Sequence, residues 1–189
     1  VEQPLGRYYL YFADHKGSYI RLAFADNVAG PYTIYAPGSL QLRQTPFCQS
    51  PPTIPESIDK TALAVPRAQH VPSVLEDCVI PHIASPEVIV DEVSQTIRMY
   101  YHGLDDFASQ ITRVAVSNNG IDFVAQQEVL ARPYLRVIPW QDGFLGLAMP
   151  GQFYQSATGL SQFVKGPKLF NPDMRHCALL YHQQQLWVF

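Results

Sequence analysis

The sequence predicts an all-β protein, because strand patterns recur along it and helical periodicity is almost absent. Ile20, Leu22 and Phe24 recur at every second position, and residues 97–102 repeat this period of two. Clusters of Gly, Pro, Asn and Asp separate such runs, for example at 118–120. Short runs of this kind, divided by turn residues, are typical of antiparallel strands joined by tight turns.

A longer repeat indicates how these strands are arranged. One unit, 86–128, contains the strand patterns PEVIVD, TIRMYYHG, ITRVAVS and IDFVA, and a second starts near Tyr134. Both units carry Ser-x-x-Gly-(Ile/Leu) followed by Phe, at 117–123 and 156–163. Units of about 40 to 45 residues with four antiparallel strands are typical of propeller blades. We therefore predict a β-propeller of four-stranded antiparallel blades, with a two-sheet sandwich as the alternative.

The two ends of the chain extend this pattern. YYLYFAD, IRLAFAD and GPYTIYAP fit the second, third and fourth strands of an earlier blade, whereas RHCALLYH and QLWVF begin a later one. About 13 strands, or roughly three to four blades, are therefore present in this chain. An arc that does not close exposes apolar faces and strand edges. We expect an oligomer, or polypeptide missing from this chain, to cover the end blades.

The segment 41–85 interrupts the strand pattern and holds seven of the sixteen prolines. Proline cannot donate to a strand ladder, so it is excluded from central strands. We predict a single partial propeller domain over 1–189, with a Pro-rich insertion at about 41–85 made of short strands or turns. A degenerate blade is the alternative. Cys48 and Cys78 lie in this segment and are either free thiols, like Cys177, or a disulfide in an oxidising compartment.

Composition excludes several classes of partner. The net charge of −3 does not favour nucleic-acid binding. No apolar run approaches the roughly 20 residues of a membrane-spanning helix, and the first residues do not resemble a signal peptide. We therefore expect neither nucleic acid nor membrane as a partner, and the compartment stays open.

The stretch 4–42 resembles the first blade of the five-bladed β-propeller glycoside hydrolases, which include arabinanase, xylosidase and invertase types. The shared marks are YYLYFAD, IRLAFAD and the GPY turn, and HIASPEVIVDE and YLRVIPW resemble starts of the next two blades. The resemblance implies a five-bladed propeller, and this chain resembles an incomplete, uncharacterised relative. It also implies an acidic residue before the first hairpin and another in two further blades, and neither region is present here.

Two carboxylates are the candidate catalytic residues. Glycoside hydrolysis uses two carboxyl groups, roughly 5 to 10 Å apart. In a propeller, the starts of the innermost strands and the nearby loops converge on the axis. Glu87 opens an innermost strand, and Asp14 lies at the tip of the opening hairpin. The alternatives are a strand-end carboxylate held by backbone or arginine for Glu87, and a turn residue for Asp14.

Histidine and arginine provide the candidate substrate-binding residues. His15 and His102 occupy matching tips of neighbouring blades, where they would bind sugar hydroxyls or help to hold an axial cation such as Ca²⁺; no other cofactor is expected. Further candidates at or near starts of innermost strands are His82, Ser85, Arg136, Arg175 and His176. This set suits a polyhydroxylated or anionic sugar, because arginine binds carboxylate or sulfate bidentately. Ion pairs between blades are the alternative for Arg136 and Arg175.

These residues predict a glycoside hydrolase-like propeller that acts on or binds a poly- or oligosaccharide through an axial polar pocket. Cleavage by a glycosidase mechanism depends on the remaining acidic residues of the complete protein. The alternatives are a non-catalytic carbohydrate-binding or interaction propeller and an inactive fragment. The sugar, the linkage and the stereochemical outcome stay open.

Overall fold

The structure, a computed structural model, describes residues 4–65, 71–168 and 173–189. Thirteen strands in these ranges form four antiparallel sheets. The first sheet contains β1 (Tyr8–Phe12), β2 (Tyr19–Ala25) and β3 (Thr33–Gln41). The second contains β4 (Ile83–Asp91), β5 (Thr96–Asp106), β6 (Ser109–Ser117) and β7 (Val124–Ala125). The third contains β8 (Arg136–Trp140), β9 (Gly143–Ala148), β10 (Gln152–Ser156) and β11 (Val164–Lys168), and the fourth contains β12 (Leu179–His182) and β13 (Gln185–Val188).

The four sheets confirm the all-β prediction and the four-stranded antiparallel blade. Each sheet follows chain order, from β4 to β7 in the second and from β8 to β11 in the third. One strand lies later than predicted. The sequence places the last strand of the third sheet from Thr158, but β11 begins at Val164. Residues 157–163 form a turn instead, because the Ser156 hydroxyl accepts hydrogen bonds from the backbone N–H groups of Thr158 and Gly159.

Successive sheets pack face to face. Strand β4 contacts β1 and β8, and β8 contacts β12, so the innermost strands lie side by side in chain order. Apolar clusters fill the three interfaces and include Ile20, Met99 and Tyr101 in the first, Tyr100, Val137 and Tyr154 in the second, and Leu145, Leu147 and Val188 in the third. Burial of this apolar area holds the sheets together.

A tyrosine latch joins each of the first two interfaces. We use this name for the hydrogen bonds from the Tyr11 hydroxyl to the Gly120 carbonyl and from the Tyr100 hydroxyl to the Gly159 carbonyl, each 2.7 Å long. Both glycines lie in the repeated Ser-x-x-Gly turns and have positive φ values, 73° and 68°. A turn of the later sheet therefore holds a tyrosine of the earlier one.

The described part of the Pro-rich insertion contains short helices, where the sequence predicted short strands or turns. β3 extends to Gln41 and β4 begins at Ile83, so the insertion narrows to 42–82. It contains the 3-10 helix Leu42–Gln44 and the helices α1 (Lys60–Leu63) and α2 (Val74–Val79). Local capping explains these short helices: Asp59 accepts hydrogen bonds from the first turn of α1, and Ser73 with Glu76 forms a capping box on α2.

The cysteines are free thiols in the structure, so Cys48 and Cys78 do not form the disulfide that the sequence left open. Across the described ranges, no helix combines the length and the apolar character that crossing a bilayer requires.

Candidate functional site

The strand directions bring several loops to one end of the sheets. The innermost strands β4 and β8 start there, and each following strand ends there, because the pairs are antiparallel. The hairpin tips at 13–18, 107–108 and 149–151 therefore lie at the same end. We call this the axial end. Apart from Asp14, the residues that the sequence singled out for a site lie here in two groups of contacts, one around Tyr134 and one around Arg136.

Equivalent positions at or just before the starts of the innermost strands carry polar side chains at the axial end. Ser85, Tyr134 and His176 each precede the last residue of an innermost strand by the same number of positions, as counting from Asp91, Trp140 and His182 shows. Ser85 and Tyr134 both have positive φ values, 52° and 62°. A left-handed backbone is uncommon for tyrosine, and such strain concentrates at functional sites.

Tyr134 lies at the centre of the contacts. Its ring centroid is 4.3 Å from that of His102 and 4.4 Å from that of His176. Its hydroxyl accepts a hydrogen bond of 2.8 Å from Nη2 of Arg175, and the same nitrogen lies 3.3 Å from Nε2 of His15. Sequence reasoning missed Tyr134; the signal that could have found it is its equivalence to Ser85.

His82 extends this group into the interior. Its ring centroid lies 5.9 Å from that of His102, and both side chains are buried. Burial lowers the pKa of His82 to about 4 and that of His102 to about 3. Both rings are therefore neutral near pH 7. The Nδ1–H group of His82 donates to the Ile80 carbonyl at 2.7 Å, which leaves Nε2 as an acceptor.

Arg136 connects three innermost strands. Its Nη1 lies 3.5 Å from Oε2 of Glu87 and donates to the Ser85 carbonyl, while its Nε donates to the Cys177 carbonyl. Burial raises the pKa of the Glu87 carboxyl group, and the positive charge of Arg136 opposes this shift. The contact is thus both an ion pair between blades and part of the polar surface at the axial end.

Asp14 lies apart from this group. Its Oδ2 accepts a hydrogen bond of 2.5 Å from Nη2 of Arg21, and its side chain is 61% exposed. In the described part of the chain, Glu87 is therefore the predicted catalytic carboxylate that contacts the other candidates. The role of Asp14 stays a prediction.

Three basic side chains act on His102 at the axial end, and the axial cation that the sequence allowed stays a prediction. Lys16, Arg136 and Arg175 all act electrostatically on His102, and each lowers its tendency to bind a proton. These positive charges would repel a metal ion in the same way. Among the described residues, no three His, Cys, Asp or Glu side chains lie close enough together to hold one.

A depression opens at the axial end beside Tyr134, between the second and third sheets. Its volume is about 400 Å³. The lining residues are Ala108, Ser109, Gln110, Arg132, Pro133, Tyr134, Met149 and Arg175. They include two arginines and no acidic residue, so the depression favours a polar ligand that accepts hydrogen bonds.

Comparison with known proteins finds distant relatives. No family model matches the chain. An uncharacterized protein of Acanthamoeba polyphaga mimivirus is 24% identical over 201 aligned positions, which cover 96% of this chain and 50% of that protein. The chain thus spans about half the length of this curated relative.

Two solved structures share the fold. An alpha-L-arabinofuranosidase from Clostridium thermocellum matches 95% of this chain with 55% of its own, at a TM-score of 0.57 and 15% identity. A glycoside hydrolase family 43 arabinoxylan arabinofuranohydrolase from Bacillus subtilis, in complex with cellotetraose, matches 95% of this chain with 38% of its own, at a TM-score of 0.58 and 14% identity. The chain therefore has the fold of part of the five-bladed β-propeller of family 43 glycoside hydrolases.

Proposed function

We propose that the chain binds a poly- or oligosaccharide at the axial end. The observation that carries this proposal is the group of polar contacts around Tyr134, next to an open depression of about 400 Å³. The fold supports it, since one protein that shares the fold was solved in complex with cellotetraose.

The chemistry of these side chains suits sugar hydroxyl groups. A neutral histidine offers one donor and one acceptor, and a tyrosine hydroxyl offers both. Arg175 is held in place by the Tyr134 hydroxyl, and Arg136 by two backbone carbonyls. Side chains that are already held lose little freedom when a ligand binds, which favours affinity.

The binding test compares cellotetraose and an arabinoxylan oligosaccharide by isothermal titration calorimetry. Tyr134→Phe keeps the ring but removes the group that holds Arg175. We expect it to weaken binding about tenfold, which corresponds to about 1.4 kcal/mol. His182→Ala, at the opposite end of β12, is the control and should bind as the parent does. Undetectable binding of both sugars to the parent chain would contradict the proposal.

Glycoside cleavage is the second candidate function, and the position of Glu87 favours it. Burial raises the pKa of this carboxyl group, which helps it to keep the proton that a general acid donates to the leaving group. Cleavage also needs a second carboxylate, roughly 5 to 10 Å away. Asp14 is the second carboxylate that the sequence predicts, and it would have to leave Arg21 to serve.

The cleavage test measures release of reducing sugar from arabinoxylan. Glu87→Gln should abolish any release while the thermal unfolding of the chain stays cooperative. The matched control is Glu128→Gln, since Glu128 accepts a hydrogen bond from the Gln162 backbone on the outer part of the sheets. Equal release by Glu87→Gln and the parent would leave Glu87 with a structural role only.

A further inference from the structure

The arginines of the chain fall into two groups by partner. Arg21, Arg98, Arg113 and Arg136 each contact a carboxylate, of Asp14, Asp91, Asp105 and Glu87 respectively. Arg132 and Arg175 line the depression and form no ion pair within the described ranges. Among the described residues, no carboxylate therefore pairs with the positive charge at this place.

The geometry of Arg175 leaves part of its guanidinium group available. Nε and Nη2 both donate to the Tyr134 hydroxyl, at 3.2 and 2.8 Å. These bonds fix the plane of the group, while Nη1 makes no hydrogen bond to the described residues. A guanidinium group offers its N–H groups in a planar fork that matches a carboxylate. Arg175 is thus held in place by Nε and Nη2, and its Nη1 can donate hydrogen bonds to a ligand.

Arg132 lines the same depression and is anchored through its backbone. Its carbonyl accepts a hydrogen bond of 2.7 Å from the Thr112 hydroxyl, and its N–H group donates to the Tyr154 hydroxyl. Its exposed side chain extends from a fixed main chain. Ser109 and Gln110 add uncharged polar groups to the same lining.

We infer that this depression binds the carboxylate of an acidic sugar residue, a uronic acid, within the oligosaccharide ligand. This inference rests on the proposed carbohydrate binding and narrows its ligand class. Arg175 and Arg132 bind the carboxylate, and Ser109, Gln110 and Tyr134 contact the ring hydroxyls. The volume of about 400 Å³ lies within the usual range for small-ligand sites, roughly 300–1,000 Å³.

The test compares trigalacturonic acid with its methyl ester, which has the same rings without the charges. Isothermal titration calorimetry at low salt should give about tenfold tighter binding of the acid, and 0.5 M NaCl should reduce this preference because salt screens exposed charges. Arg132→Gln should weaken binding of the acid about tenfold and leave the ester nearly unchanged, and Arg175→Gln should weaken binding of the acid more than binding of the ester. Arg43→Gln removes an exposed arginine elsewhere and should change neither.

Each outcome decides between the proposals. Equal affinity for acid and ester overturns the inference and leaves carbohydrate binding standing. Binding of neither probe, together with failure to bind cellotetraose and the arabinoxylan oligosaccharide, overturns both. Tighter binding of a sulfated galactan oligosaccharide than of the acid overturns the assignment to a carboxylate. If Arg175→Gln perturbs Tyr134 and lowers the melting temperature, Arg132→Gln decides, because its side chain is exposed.

Discussion

The first and second interfaces between sheets are held by the same kind of contact but differ at the axial end. Each has a tyrosine latch, and the latch tyrosine packs edge-to-face on a phenylalanine: Tyr11 on Phe123 at 5.8 Å, and Tyr100 on Phe163 at 6.2 Å. At the axial end, the insertion fastens the first interface, whereas the second opens into the depression. The two tyrosine latches hold neighbouring sheets together. The insertion covers the axial end of the first interface and leaves the second open to a ligand.

The fastening of the first interface uses backbone and side chain together. The Ala108 N–H group donates to the Cys78 carbonyl at 3.0 Å, and that of Cys48 donates to the Leu104 carbonyl at 2.9 Å. Lys16 donates to the Asp77 carbonyl at 3.2 Å. The insertion thereby joins the hairpin tips of the first and second sheets, and no equivalent segment crosses the second interface within the described ranges.

The two latches also differ two residues before the tyrosine. The first has Tyr9 there, whose hydroxyl accepts from the Leu5 N–H group. The second has Arg98, which pairs with Asp91, donates to the Thr158 carbonyl at 2.6 Å and lies over the Phe144 ring. Displacing a buried charge from its carboxylate is costly, because the partner is left unpaired. The second latch should therefore be the more sensitive to change.

Low pH should lower the free energy of unfolding more than any of the substitutions below, because two histidines, His82 and His102, are buried. Their pKa values in the folded chain, about 4 for His82 and about 3 for His102, lie below the unfolded value near 6.5. The unfolded chain therefore binds more protons, and stability falls as pH drops from about 6.5 toward 4. The loss is on the order of 5 kcal/mol. Urea unfolding across this pH range measures the loss. His102→Phe should remove about half of the dependence of the unfolding free energy on pH.

Gly159→Ala should destabilise the chain by about 2 to 3 kcal/mol, since a left-handed alanine is strained and its Cβ needs space. An added Cβ would lie 2.6 Å from Nη1 of Arg98 and 2.9 Å from the Phe144 ring. At Gly120, the nearest atom is the Tyr11 hydroxyl, at 2.8 Å. Because Arg98 is held by its partners, Gly159→Ala should lower the free energy of unfolding more than Gly120→Ala does. Urea unfolding measures both. The reverse order would show that the two latches do not differ in this way.

Tyr100→Phe should cost about 1 to 2 kcal/mol, because it leaves the Gly159 carbonyl without its hydrogen bond. Tyr100 is fully buried, whereas Tyr11 is partly exposed. Water can replace the lost bond more easily at Tyr11, so Tyr11→Phe should cost less than about 1 kcal/mol. Thermal unfolding of the two variants side by side measures the difference, and equal losses would argue that the latches are equivalent.

Lys16→Met should have the smallest effect on global stability, less than about 1 kcal/mol, as is usual for partly exposed ion pairs. Its effect should be local, because Lys16 joins the first hairpin tip to α2. Faster amide hydrogen exchange in α2, with unchanged exchange in β10, is the expected result. Uniformly faster exchange would indicate that the insertion stabilises the whole chain.

Period-two patterns and turn residues were enough to predict the strands, because these signals are local. The sequence also showed the Ser-x-x-Gly repeat, but its purpose needed the structure, since Tyr11 and Gly120 are 109 residues apart. The sequence prediction missed the helices of the insertion, because the high proline content was given more weight than two short capping motifs. Proline lacks a ladder donor, yet it does not prevent a single turn of helix beside it.

The candidate site was predicted in part for the same reason. Glu87, Arg136 and Arg175 were found because strand starts can be located from the alternating pattern. Tyr134 was missed because tyrosine is common in these strands, and only its backbone conformation and its contacts distinguish it. The contact of Asp14 with Arg21 depends on side-chain direction across a hairpin, which residue spacing alone does not determine.

The order of the tyrosine latches along the chain sets the order in which a ribosome can complete them. Each latch joins a tyrosine to a turn that is synthesised later, after 109 residues for Tyr11 and after 59 for Tyr100. The Tyr11 latch can therefore form only after the insertion and most of the second sheet have been synthesised. The first latch can therefore form before the second, and in both the tyrosine is synthesised before its partner turn.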